Sequence, residues 1–85
     1  MDKNDQLFMQ LLFIFHQSGM QALGKIKNPI TDKVERNLEQ ASNAIEMLEM
    51  LQTKTKGNIS AELDKMMTGF LTDLRLNFVD ESSKN

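Results

Sequence analysis

The chain contains no cysteine, no tryptophan and no tyrosine, and only one proline and one histidine in 85 residues. Each absence removes a class of chemistry. Without cysteine there is no disulfide framework and no thiolate metal site, a composition that fits a reducing cytoplasm. The single histidine, His16, is followed at i+3 and i+4 by Gly19 and Met20, so the helical spacing of a metal pair is missing. Di-metal carboxylate bundles need Glu-x-x-His on two helices, which one histidine does not supply. There is no Gly-rich phosphate loop and no calcium-loop spacing. Ser18 and Ser42 have no base in a recognisable motif, and Glu46 and Glu49 read as a solvated helix face. The expectation is a protein that is not an enzyme and has no cofactor or metal. The formal charge of −2 and pI near 5.3 give no general attraction to nucleic acid or anionic lipid.

Leu, Met, Glu, Gln, Lys and Asn make up much of the chain, a composition that favours helices over sheets. The fold class read from it is all-α, in a single domain over 1–85. The first helix is expected over about 5–23, with Asp5 as N-cap or early acid and Gly24 as its stop. Residues 24–36 read as a linker: Asn28-Pro29 disfavours helix and Ile30 to Lys33 reads as a turn. A short extended piece around Lys33 to Glu35 is one option, and Ile26, Ile30 and Val34 are expected to pin the linker to the body. The second helix is expected over about 37–56, with Asn37 as N-cap, Gln40 as its capping-box partner and Gly57 as stop. Ser60 then caps a third helix to about Val79, whose apolar face is Leu63, Met66, Met67, Phe70, Leu71, Leu74 and Phe78. The polar tail 80–85 is expected to fray. The short connection at 57–59 predicts an antiparallel αα-hairpin of the second and third helices.

The first helix is unusual. No formal charge occurs between Asp5 and Lys25 with His16 neutral. On a wheel of 100° per residue its apolar side chains cover most of the circumference, leaving one polar strip of Gln6, Gln10, Gln17 and Gln21. Surface helices normally show a single apolar stripe and a charged back. A hairpin of two helices shields about half of such a helix, and the uncovered remainder favours association with a second copy. The expected interface is Leu7, Phe8, Leu11, Leu12 and Phe15, in a homo-oligomer with a dimer favoured. The glutamine strip should face water or hydrogen-bond across the assembly. Membrane insertion is disfavoured, because a histidine and four glutamines would be buried and no basic flank is present. The opening Met1 to Asp5 has no net positive charge and no small-residue cleavage site follows, so no secretory signal is read.

Two weaker signals remain. Lys25, Lys27, Lys33 and Arg36 in the linker, with Lys54 and Lys56 at the bend, would contact phosphate only if folding gathered them. Without aromatic interleaving, nucleic acid is not expected as a partner. Met47, Met66 and Met67 fit the core. Met50 and Leu76 lie on otherwise polar faces and are the candidate surface for an unidentified protein partner.

Several ordered stretches carry a resemblance. They are Leu23-Gly24-Lys25-Ile26-Lys27-Asn28-Pro29, Asn37-Leu38-Glu39-Gln40-Ala41, Ile45-Glu46-Met47-Leu48-Glu49-Met50-Leu51, Lys54-Thr55-Lys56-Gly57-Asn58-Ile59 and Leu74-Arg75-Leu76-Asn77-Phe78-Val79. Together they resemble a family of small bacterial proteins known only as a domain of unknown function, number 1844 of that series, from about Phe8 to Val79. The resemblance implies a bacterial, helical, cytoplasmic protein and carries no functional residue. The family pattern often has Gly where Asp32 stands, and Thr-Pro where this chain has Ser60-Ala61. Asp tolerates turn conformations and Ser caps helices, so neither departure threatens the fold. The resulting expectation is a non-catalytic homo-oligomeric interaction or scaffold protein. The alternative is a small-molecule or lipid-binding module, with a cavity lined by Phe8, Leu12 and Phe15.

Overall fold

Asp2, Asn37 and Ser60 each turn a side-chain oxygen toward the backbone N–H three residues on, and a helix begins behind each of them. In the computed structural model, which describes residues 2–84, these are α1 (Lys3–Ala22), α2 (Leu38–Thr55) and α3 (Ala61–Ser82), and among the described residues there is no strand. The Asn37 and Ser60 caps are as the sequence suggests, at 3.1 Å to Gln40 N and 3.2 Å to Leu63 N. The cap of α1 is Asp2, whose carboxylate accepts from Asp5 N at 2.8 Å; the helix starts a little earlier than expected and Asp5 is the early acid of its first turn. These bonds satisfy backbone donors that the first turn of a helix otherwise leaves unpaired.

The stops are equally local. Gly24 takes φ 75° after α1, where Lys25 N donates to Met20 O and Gly24 N to Gln21 O, both at 3.0 Å. This paired arrangement ends a helix in the left-handed region, where glycine meets no Cβ penalty. After α2, Gly57 at φ 80° lets Asn58 N donate to Thr55 O at 2.8 Å and turns the chain toward Ser60.

The linker is an irregular reversal joined by two isolated antiparallel bridges, Leu23 with Arg36 and Asn28 with Lys33. Asn37 N donating to Ala22 O at 2.7 Å closes its base and sends α2 back along α1. The expected apolar pins do not form. Ile30 is 93% exposed and Ile26 and Val34 are also exposed, because polar interactions hold the loop instead. Asn28 Oδ1 accepts from Ile30 N, and Lys25 and Arg36 reach across to α3.

That reach accounts for a second correction. The polar tail does not fray after Val79: α3 continues to Ser82 and Glu81 is buried. Lys25 Nζ lies 2.7 Å from Glu81 and 2.9 Å from Asp80, and Lys84 Nζ lies 2.7 Å from Glu81. Arg36 donates to the Glu81 carbonyl at 3.1 Å. Lys25 and Arg36 thereby tie Asp80 and Glu81 at the end of α3 to both ends of the linker. Asn85 lies outside the described residues.

All three helices contribute to one core, centred on Leu12, Leu23, Leu48, Leu63, Met67, Leu71 and Leu74, each at most 1% exposed. At about 1.5–3 kcal/mol for a fully buried large aliphatic side chain, these residues dominate the stabilisation. α1 and α3 run in the same direction, since Phe13 meets Phe70 and His16 meets Asp73 at matching offsets. Met1, like Asn85, is outside the described residues.

The result is elongated, with extents of 40 × 26 × 15 Å and a radius of gyration of 13.5 Å, where about 12 Å is typical of a compact domain of this length. Its accessible surface is 5791 Å², against about 5,100 Å² expected for a folded monomer of this mass. The molecule leaves several hundred square ångströms more uncovered than its size requires.

Candidate functional site, an apolar face on the first two helices

Packing divides the nearly all-apolar circumference of α1. Leu12, Gly19 and Ala22 turn into the core, with Phe8 and Phe15 half-buried against it. Two of the expected interface residues lie on the opposite shoulder: Leu7 is 50% exposed and Leu11 37%. Leu12 is a correction, because at 0% exposure it is wholly enclosed by its own chain and offers nothing to a partner. Phe8 and Phe15 are largely spent in the same way. Ile14, outside the expected interface, is 62% exposed. At 100° per residue, Leu7, Leu11 and Ile14 share one flank of α1, beside the glutamine strip. Gln6, Gln10 and Gln17 of that strip are exposed and Gln21 is half-buried.

α2 extends this flank. Ala44 stands beside Gly19, and Phe15 and Ser18 share a groove with Gln40, Asn43 and Ala44. With the helices running in opposite senses, the next turns bring Ile14 and Leu11 alongside Met47 and Met50. Met47, assigned to the core from the sequence, is 38% exposed, and Met50 is 44% exposed. Five apolar side chains thus occupy one outer face, with no charged residue contributed by α1 after Asp5.

Leu76, the other half of the expected partner surface, does not join this face. It is 68% exposed on the back of α3, near Val79. The Arg75–Glu49 ion pair, at 2.7 Å, lies between it and Met50.

Electrostatics sharpen the contrast between this face and the rest of the molecule. Lys25 and Lys84 hold the Glu81 carboxyl well below its ordinary range, at about 2. Lys25 also lowers Asp80, and Glu81 in turn raises Lys25 and Lys84. Lys25 and Arg36 are therefore engaged with α3 rather than presented as a basic patch. Glu46 and Lys54, on the outward side of α2, make no ion pair among the described residues.

A second polar constellation escaped the sequence. His16 Nε2 donates to Asp73 Oδ2 at 2.7 Å, and its ring stacks on Phe70 at 4.5 Å. Asn77 Nδ2 donates to the Asp73 carboxylate at 3.1 Å and to the Asp73 carbonyl at 2.8 Å. The partners are 57 residues apart, so no local pattern announces them. The arrangement fixes the imidazole and bridges α1 to α3. Among the described residues no group of three acidic, histidine or cysteine side chains gathers as a metal site.

Open, largely polar grooves mark the surface, one of them lined by Asn37, Glu39, Gln40, Ser42, Asn43 and Glu46. At the positions a ligand-binding module would use, Leu12 is buried and Phe8 and Phe15 pack against the core. No helix is long and apolar enough to cross a membrane among the described residues.

The family model described as a domain of unknown function (DUF1844) matches residues 5–81. No curated protein and no solved structure matches the chain.

Proposed function

The chain belongs to the DUF1844 family, a domain of unknown function, and from that premise we propose that it is a non-catalytic interaction or scaffold protein acting in the cytoplasm as a homodimer. The α2–α3 unit, read as an antiparallel hairpin, backs α1 and leaves one shoulder of it for a second copy. The observation that carries this reading is the uncharged face of Leu7, Leu11, Ile14, Met47 and Met50, each between 37% and 62% exposed. Half-exposed aliphatic side chains forgo about half of the roughly 1.5–3 kcal/mol available to each on full burial. The surface excess of this elongated chain is comparable to the roughly 800 Å² that each partner contributes to a standard interface. A two-fold pairing uses one apolar patch twice, the commonest form of closed assembly. Leu76 and Val79, on the back of α3, remain available to a different protein partner.

Sedimentation at low micromolar concentration tests the proposal. The expected mass is twice the 9.7 kDa of the chain. Leu11→Lys with Ile14→Lys should give a folded monomer, because both side chains leave the core intact. A wild-type monomer at that concentration would overturn the reading.

A further inference from the structure

We infer that the second copy docks with α1 and α2 each antiparallel to their counterparts, the two-fold axis passing near Leu11 and Met50, and that Lys54 of each copy pairs with Glu46 of the other. This rests on the dimeric reading above and specifies its geometry. Two isologous arrangements cover the same apolar face. In one, the axis is perpendicular to the helices, so α1 lies on its own copy in reverse. In the other, the axis runs along the helices and α1 lies over the partner's α2 in the same sense as its own copy.

The apolar side chains do not separate these arrangements, since either one lays leucine, isoleucine and methionine on one another. The charges do. The centre of the patch falls at Leu11 on α1 and at Met50 on α2, which stands alongside it. Reversal about that centre sets Leu7 within one residue of Ile14 of the other copy. It also brings Lys54, four residues after Met50, opposite Glu46, four residues before it. Both carry exposed side chains that make no ion pair among the described residues, so the contact pairs two charges of opposite sign twice per dimer. The parallel arrangement instead sets Lys54 opposite Leu7 and Glu46 opposite Phe15 of the partner's α1, so neither charge meets an opposite charge directly across from it. Complementary charges at an interface fix register and suppress the wrong pairing more than they add affinity. The uncharged stretch of α1 supplies the attraction, and the α2 charges select the orientation.

The absence of cysteine makes crosslinking a clean test on the whole protein. Leu11→Cys alone and Met50→Cys alone should each give covalent homodimers with a short bismaleimide, because each position meets its own copy near the axis. In the parallel arrangement, the single variants would not crosslink and a mixture of the two would. Charge exchange gives the second readout. Lys54→Glu and Glu46→Lys should each weaken the dimer by about tenfold, since two exposed ion pairs are lost and two like-charge contacts made. The double exchange should restore wild-type affinity, and far-UV circular dichroism should stay unchanged throughout. A wild-type dimer without crosslinking at Leu11 or without rescue would overturn this geometry alone. A wild-type monomer would overturn it together with the dimeric reading.

Discussion

Gly19 on α1 lies so close to Leu74 on α3 that a Cβ built on the glycine would stand 2.7 Å from one Leu74 methyl and 3.3 Å from the other. Leu74 is fully buried, so its methyls have little room to yield, and Ala44 blocks a third direction at 3.4 Å. The closeness of α1 to the other two helices depends on this missing side chain.

Gly19→Ala therefore sets overpacking, about 1–3 kcal/mol in a dense core, against a helix-propensity gain of about 1 kcal/mol. A net loss of about 1 kcal/mol is expected, read as a lower urea midpoint. Gly69 in α3 provides the control, because nothing lies within 4 Å of its would-be Cβ. There Gly69→Ala should raise stability by about 0.5–1 kcal/mol. Equal effects at the two glycines would contradict the close approach of α1 to Leu74.

Leu12 and Leu11 are sequence neighbours with different fates, and substitution should separate them. Leu12→Ala removes a fully enclosed side chain and should cost about 2–5 kcal/mol. Leu11→Ala should change the unfolding of a dilute monomer far less while weakening self-association. Denaturation followed across protein concentrations distinguishes the two effects.

Glu81 predicts an acid-sensitive attachment of the linker. Its carboxyl is held at about 2 rather than the ordinary 4.5, chiefly by Lys25 and then by Lys84. Its contribution to stability is therefore complete above pH 4.5 and fades as pH falls toward 2. Glu81→Gln should lower the urea midpoint at pH 7 and flatten its decline across that acid range. Lys25 and Lys84, raised above 10.5 by Glu81 and its neighbour Asp80, should make the mirror contribution, lost as pH rises past their folded values. An unchanged acid profile in the Gln variant would show that the cluster does not hold the linker.

The His16–Asp73 contact should behave as a modest tie between α1 and α3. A double-mutant cycle of His16→Ala and Asp73→Ala is expected to give a coupling of about 0.5–1.5 kcal/mol, the range of a partly exposed hydrogen bond. The Phe13–Phe70 pair, with ring centroids 5.4 Å apart, should remain coupled in the same protein. A coupling near zero would show that the imidazole is held by stacking alone.

The sequence by itself determined the helices and most of their ends. Asn37, Ser60, Gly24 and Gly57 act over three or four residues, so their effects are written locally. The absence of charge from Gln6 to Gly24 likewise announced a helix needing cover on most sides. Only the tertiary structure decided which of those sides were covered within the chain. Leu12 and Ile14 look alike on a wheel, yet the rotation of α1 against α2 and α3 encloses the first and leaves the second in water. Ile30, apolar enough to suggest a pin, stays outside because backbone and ionic ties hold the linker without it. Glu81, polar enough to suggest a frayed end, is buried because folding brings Lys25 to it from 56 residues away. Contacts of that span have no local signature. The exposed apolar face is therefore Leu7, Leu11 and Ile14 with Met47 and Met50, a face that exists only once α2 lies beside α1.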